Sequence, residues 1–268
     1  MPTVLLVNDD GAQSPFLLPF AQKLRALGEV RIAVPSEEKS WSGKSMTRHG
    51  KLRARPLSGD GWSGFEPFEA LAVDGTPSDC ANLGIHHLFG AKPDWVVAGI
   101  NIGLNAGLNF IVNSGTVGAA FEAALSGVPA AAFSMHMPRD LYDQWIRERR
   151  LTGPQAEKMI GLAATRSAEL FRMLVERGLP PGAMVLNVNL PQDLRPDTPL
   201  RWVPVEDNRY GSLFSKDREG GYHHHYQGDS WRDRSVLGDK AAVENGAIAI
   251  TALTLAAMTV PISDPQGW

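Results

Sequence analysis

Apolar positions fall into short unbroken runs separated by longer stretches with helical spacing. Thr3 to Val7 is apolar and β-branched at Thr3, Val4 and Val7, and it stops at Asn8-Asp9-Asp10-Gly11, a strong turn signal. It reads as a buried strand. Phe16, Leu17, Phe20, Leu24 and Leu27 recur at helical spacing, with Gly28 as a stop. Val30 to Val34, ended by Pro35, is a second strand, and Leu71 to Val73 is a short apolar run before Asp74-Gly75. Pro77 to Leu88 suits a helix with proline in its first turn. Trp95 to Ala98 reads as a strand ending at Gly99. Thr116 to Leu125 is helix-compatible, with Gly127 and Pro129 beyond its end, and Ala130 to Phe133 is a further strand. Gln155 to Arg177 is a long amphipathic helix, and Met184 to Val188 the next strand.

Strands apolar throughout that alternate with helices predict an α/β fold: a mostly parallel sheet with helices on both faces. That layer is expected over residues 1–191. Residues 192–268 have a different texture and are expected to form a C-terminal hairpin and extension. Arg201 to Tyr226 is polar, aromatic and glycine-containing, which suits a protruding hairpin. Ala247 to Leu255 reads as a segment returning to the core sheet.

Composition narrows the function classes. With 268 residues, 43% hydrophobic and 21% charged, the chain is an ordinary globular one. A net charge of −3 provides no general field for a nucleic acid polymer or an anionic membrane, so an anionic ligand needs a local device. The single cysteine, Cys80, forbids an internal disulfide and fits a reducing, cytoplasmic setting. No basic segment precedes an apolar stretch at the N-terminus, so no secretory leader is expected. The uncharged run from Trp95 to Phe121 carries four asparagines, too costly for a membrane span. A second uncharged run, Gly246 to Ser263, is broken by threonines and Pro261 and reads as a buried strand with a short tail beyond it.

Four stretches could carry chemistry. Asp9 and Asp10 are adjacent carboxylates after a buried strand; they are either a solvated turn or a site for a hard cation that offsets their repulsion. Ser36, Ser40, Ser42 and Ser45, with Gly43, Lys39 and Lys44, come after the second strand as either a plain surface loop or a binding loop. Gly99 to Gly107 offers asparagine amides and close backbone approach, or is simply a glycine-rich loop in which a regular helix is not expected. Asn113-Ser114-Gly115-Thr116 opens a helix and is either an ordinary cap or an anion site. Three of these loops come directly after predicted parallel strands, at whose carboxyl ends open α/β sheets bind ligands. Together they describe a metal-assisted site for a phosphorylated substrate. The dinucleotide, P-loop and nucleophile-elbow motifs are absent. His223, His224 and His225 read as a solvated loop, and Cys80 as a packing residue.

These residues resemble the SurE survival-protein nucleotidases. The likeness runs through Val7-Asn8-Asp9-Asp10-Gly11, Val34-Pro35 to Ser45, Ala72 to Cys80, Pro93 to Gly107, Ser114-Gly115-Thr116-Val117 to Ala123, Asn187 to Pro191 and Ala242 to Leu253. It implies a Rossmann-like core and an extension exchanged within a homodimer or homotetramer. It implies a phosphatase acting on nucleoside 5′- and 3′-monophosphates, and in some members on short polyphosphate, with one divalent cation, Mg²⁺ or Mn²⁺. Carried over by position, the metal ligands fall on Asp9, Asp10, Ser40 and Asn101, with Asp9 or Asp10 also open to a role as nucleophile or base. Phosphate contacts fall on Asn105, Ser114, Gly115 and Thr116, and Gly43 and Ser45 lie in the adjoining loop. Trp41, where the family usually has glycine, and Asn113, where it commonly has an aromatic residue, depart from the pattern and bear on substrate preference. Two alternatives stand beside this reading. One is an N-ribohydrolase with an aspartate-bound cation, the other a non-catalytic nucleotide-binding regulator.

Overall fold

The structure is a computed structural model that describes residues 1–256, so the end of the apolar run read from Gly246 to Ser263 lies outside the described residues. In chain order the elements are β1 (Thr3–Val7), α1 (Leu17–Arg25), β2 (Glu29–Pro35), β3 (Ala54–Pro56), β4 (Glu69–Val73), α2 (Pro77–His86), β5 (Trp95–Ile102), α3 (Leu108–Asn113), α4 (Gly115–Leu125) and β6 (Ala130–Met135). After these come α5 (Arg139–Glu148), α6 (Pro154–Arg177), β7 (Val185–Leu190), β8 (Leu200–Trp202), β9 (Asn208–Tyr210), β10 (Phe214–Lys216), β11 (Tyr222–His224), β12 (Asp229–Arg232), α7 (Asp239–Glu244) and β13 (Ile248–Leu253). No helix among the described residues is long and apolar enough to cross a membrane.

Nine strands form one sheet in the order β3-β4-β2-β1-β5-β6-β7-β13-β8. From β4 to β7 all neighbours run parallel, while β3 and β13 lie antiparallel to β4 and β7. This is the mostly parallel α/β sheet that the apolar runs predict, and burial explains the pattern. Val4 and Leu6 of β1 face a core with Phe20 of α1, Phe133 of β6 and Phe171 of α6. Leu5 and Val7 face the opposite core, with Cys80 of α2 and Val117, Ala120 and Ala123 of α4. A strand covered on both faces has no solvent side on which to place polar residues. Each large side chain buried this way contributes roughly 1.5–3 kcal/mol.

Chain order sets the position of the site. From β1 the chain moves outward through β2 to β4, then crosses back to lay β5 against the other edge of β1. The switch point lies between β1 and β5, where the carboxyl ends of two strands diverge and leave a crevice.

Three segments differ from the pattern-based expectation. β5 does not stop at Gly99 but continues to Ile102 through a register shift against β6 between Ala98 and Asn101. Asn101 is therefore on a strand end, not in a loop. Gly99 has φ +120, and a Cβ there would lie 2.2 Å from the Phe133 carbonyl oxygen, so only glycine fits this bend. The polar stretch predicted as one hairpin over Arg201 to Tyr226 begins with β8, which joins the main sheet beside β13. It continues as a nested arm, with β9 paired to β12 and β10 to β11. α3 and α5 lie outside that expectation: α3 is only six residues long and follows a glycine-rich loop, and α5 is a short segment whose Leu141, Tyr142, Trp145 and Ile146 do recur at helical spacing, with Leu141 and Trp145 buried in the core.

The bend at Gly99 should be testable by stability. Gly50 has a comparable φ of +96 but open space where a Cβ would go. In chemical denaturation, Gly50→Ala should cost about 1 kcal/mol from φ alone, and Gly99→Ala at least ~2 kcal/mol more. Equal losses in the two variants would show that the close approach to Phe133 constrains nothing.

Candidate functional site

The turn after β1 is closed by Asn8, whose Oδ1 accepts from Gly11 N–H at 3.1 Å and whose Nδ2 donates to the Gly11 carbonyl at 2.9 Å. This holds Asp9 and Asp10 in the crevice, only 3% and 5% exposed. Asp9 accepts from the Thr116 hydroxyl at 2.5 Å and from Thr116 N–H at 3.2 Å, one on each oxygen. Asp10 Oδ2 accepts from Ile102 N–H at 2.9 Å. Burial raises the Asp9 carboxyl from its ordinary 3.8 to about 6, against the lowering effect of the Thr116 hydrogen bonds. Burial, and next the charge of Asp9, push Asp10 well above the usual carboxylate range. Such a pair calls for positive charge.

The loop after β2 closes over this pair. Lys39 N–H donates to the Asp9 carbonyl at 2.7 Å, which brings Ser40 beside the crevice. Ser40 Oγ donates to a Glu38 carboxylate oxygen at 2.7 Å. Gly43 N–H donates to the Asn113 carbonyl at 2.9 Å, and the Ser45 carbonyl accepts from the Thr76 hydroxyl at 2.7 Å. Lys44 pairs with the nearly buried Glu122 of α4 at 2.6 Å. Gly43 and Ser45 thus act through their backbone as anchors. The Thr76–Asp79 stretch is a capping box on α2 whose Asp79 also accepts from Thr47, so it secures the loop.

Two further segments complete the crevice. Asn101, at the end of β5, donates from Nδ2 to the Gly103 carbonyl at 3.0 Å, which fixes the amide and leaves Oδ1 as its acceptor end. Asn105 is tied to the sheet: its Nδ2 donates to Ser134 Oγ at 2.8 Å, and its carbonyl accepts from Asn187 Nδ2 at 2.8 Å. Ser114 caps α4 by accepting from Val117 N–H at 3.0 Å. A Cβ on Gly115 would lie 2.9 Å from Asp9 Cβ and 2.8 Å from Ser42 Oγ, so glycine lets the helix start meet the carboxylate. Asp9, Asp10, Ser40, Asn101, Ser114, Gly115 and Thr116 therefore gather at the switch point. The Thr116 hydroxyl is spent on Asp9.

Ser42 is one of the loop serines named from the sequence, but the resemblance does not single it out as a site residue. Its Oγ is buried without a hydrogen-bond partner, beside Gly115. Among the described residues no three His, Cys, Asp or Glu gather as a metal cluster. The candidate donors are instead two carboxylates completed by neutral oxygens, Asn101 Oδ1 and Ser40 Oγ. An all-oxygen set with a negative pair fits a hard dication such as Mg²⁺ or Mn²⁺. The orphaned Ser42 hydroxyl and the α4 N-terminus offer donors for an anion beside it.

Both departures from the family pattern meet the arm. Trp41 has φ +59, the left-handed region that favours glycine, and stands 37% exposed. Its ring lies 4.8 Å from His224, 5.8 Å from Phe110 and 6.4 Å from each of Tyr210 and Tyr226. Asn113 Nδ2 donates to the Tyr210 hydroxyl at 3.2 Å. His224 thus packs on an aromatic ring, and Cys80 is buried with its thiol pushed well above the usual range by desolvation, then by Asp79.

The raised Asp9 pKa has a consequence for the metal-free chain. Its folded state holds a proton that the unfolded state releases between about pH 4 and about pH 6, so this group subtracts stability as pH rises through that window. Asp9→Asn removes the penalty. In EDTA, its Tm advantage over the wild type should be near zero at about pH 4 and several degrees at about pH 7. A difference that shrinks with rising pH contradicts the assignment.

The family model for "Survival protein SurE" matches residues 4–212. A curated relative from Geobacter metallireducens, "5'-nucleotidase SurE", is 37% identical over 261 residues, 94% of this chain and 91% of the relative. "5'-nucleotidase SurE 1" of Thermus thermophilus is 36% identical, with 94% of this chain and 91% of the relative covered. The crystal structure of the SurE protein from Aquifex aeolicus superposes with a TM-score of 0.74 at 30% identity, covering 96% of this chain and 95% of that one. On family model, sequence relatives and fold alike, the chain belongs to the SurE family.

Proposed function

We propose that the chain is a divalent-metal-dependent 5′-nucleotidase that hydrolyses nucleoside 5′- and 3′-monophosphates to nucleoside and phosphate, with short polyphosphate as a further substrate. The observation that carries this reading is the buried Asp9–Asp10 pair at the start of α4, beside the unpartnered Ser42 hydroxyl. The nucleotidase names of the relatives support it.

Asp9, Asp10, Asn101 Oδ1 and Ser40 Oγ would hold one cation, Mg²⁺ or Mn²⁺. When bound, such an ion offsets phosphate charge and lowers the pKa of a coordinated water. The chain's own residues do the rest. Thr116 fixes both oxygens of Asp9. Ile102 N–H fixes one oxygen of Asp10, and Oδ1 remains to accept a cation or a proton. The Ser42 and Ser114 hydroxyls and the Gly115 N–H at the start of α4 would donate to phosphate oxygens, since the N–H groups of Thr116, Val117 and Gly118 are already held by Asp9 and Ser114. Gly115, lacking a side chain, lets Asp9 and Ser42 close on the helix start. Asn105, held between Ser134 and the β7 asparagines, is a rigid post beside it.

The same reading makes the protein a homodimer or homotetramer, supported by exposed Trp202, Trp231, Val236 and Leu237 on the extension. A cytoplasmic setting is supported by the single buried thiol. The −3 net charge supports a small nucleotide as partner in place of a nucleic acid polymer or a membrane.

Phosphate release should be measured over nucleoside 5′- and 3′-monophosphates and tripolyphosphate with Mg²⁺ or Mn²⁺. The expected result is release that EDTA abolishes and that Asp9→Asn lowers by at least about 10³-fold in kcat/KM, the scale of losing a preorganised charge-stabilising group. Free base in place of phosphate would make the chain an N-ribohydrolase. Nucleotide binding without any release would make it a regulator.

A further inference from the structure

Residues 137–154 carry none of the short motifs on which the likeness rests, yet they contact the loop beside the carboxylates. α5 buries Leu141 and Trp145 and ends at Arg149, whose φ of +51 turns the chain in the left-handed region. The Arg149 guanidinium pairs with Glu38, 111 residues away in sequence, and lies 5.6 Å from the Trp145 ring. Glu38 is also the acceptor of the Ser40 hydroxyl at 2.7 Å. Arg149, Glu38 and Ser40 thus form a chain leading to the crevice. The electrostatics agree with that placement, since the charge of Glu38 acts on both Asp9 and Asp10, and that of Arg149 acts on Asp10.

Charge balance gives this chain a purpose. Asp9 and Asp10 line the crevice, and the charge of a third carboxylate, Glu38, is felt by both. A dication and a phosphomonoester dianion cancel one another, so a loaded site keeps the full negative charge of those three. Two nearby lysines are turned elsewhere: Lys44 is held by Glu122 at 2.6 Å, and Lys39 leans to Glu37 at 3.9 Å. Arg149, paired with Glu38, is a cation whose charge is felt at Asp10. Its side chain is 49% exposed and its pairing with Glu38 is near the surface, where an ion pair is worth only about 0–1 kcal/mol and is readily exchanged. A phosphate offers a guanidinium more charge than a carboxylate and the same two-pronged geometry.

We propose that Arg149 is a phosphate-binding residue of this site, resting on Glu38 and transferring to a non-bridging oxygen of the substrate phosphate. This rests on the phosphatase reading above. It gives the two partners opposite roles. Arg149 aids the anion, and Glu38 competes with it.

The test is calorimetric binding of inorganic phosphate to the full chain loaded with Mn²⁺. Arg149→Gln should weaken phosphate at least about tenfold, the scale of a hydrogen bond to a charged group, while Mn²⁺ affinity stays equal or rises. Arg149→Lys, which keeps the charge and loses the fork, should fall between, and it remains readable if Arg149→Gln unfolds. Glu38→Gln should tighten phosphate severalfold. A merely structural rim pair would move both variants in the same direction. Wild-type phosphate affinity in Arg149→Gln, or weakening in Glu38→Gln, overturns the proposal. Loss of Mn²⁺ from Glu38→Gln makes Glu38 part of the metal site and overturns its role as a resting partner. A wild-type chain that binds phosphate through Arg149 but releases none from nucleotides would sink the phosphatase reading alone.

Discussion

Adjacent carboxylates nearly removed from water carry a double penalty. Each loses its hydration, and each repels the other. Asp9 and Asp10 are in that position, and the surrounding architecture is arranged around them. Thr116 and Ile102 donate to them from α4 and from the end of β5. Gly115 lets α4 approach, and Gly99 bends β5 so that Ile102 N–H and Asn101 arrive on the same side. These hydrogen bonds orient the oxygens but do not neutralise them. The result is buried negative charge that the proposed dication would offset, with the Ser42 hydroxyl alongside.

The sheet was legible because burial on both faces leaves no choice of residue. Runs such as Trp95 to Ala98 and Ala130 to Phe133 can only be covered strands, and the loops after them fall at one edge by topology alone. The Asp pair, Asn101 and the Ser114–Thr116 helix start were visible as local signals because turn, cap and strand-end chemistry are local. Less was legible where the deciding partner is far along the chain. The extension of β5 to Ile102 depends on its register with β6. The Thr116 hydroxyl reads as a phosphate donor until its distance to Asp9, 107 residues away, is known. Ser42 stood among several serines, and only its buried, unpartnered Oγ separates it from them. Arg149 gave no signal, because a charged residue at the end of a polar helix looks like any solvated terminus.

The arm and the site loop are linked through Trp41. A tryptophan in the left-handed region carries strain of about 1–3 kcal/mol, which rings from α3 and the arm can offset by packing. The loop that holds Ser40 and Ser42 is therefore braced from two sides. Backbone and ion-pair anchors hold it to α2 and α4, and an aromatic contact holds it to the arm. On this chain, unlike one with glycine at that position, the loop has a side chain in contact with the arm.

The central claim is that the Asp9–Asp10 pair is kept for one cation. Its most direct measure is calorimetric titration of Mn²⁺ into the metal-free chain, run in buffers of different ionisation enthalpy so that proton release is counted. The account predicts one ion per chain, proton release that is greater at about pH 6 than at about pH 8, and loss of tight binding in Asp10→Asn. Binding with no released protons, or with unchanged affinity in Asp10→Asn, would contradict it.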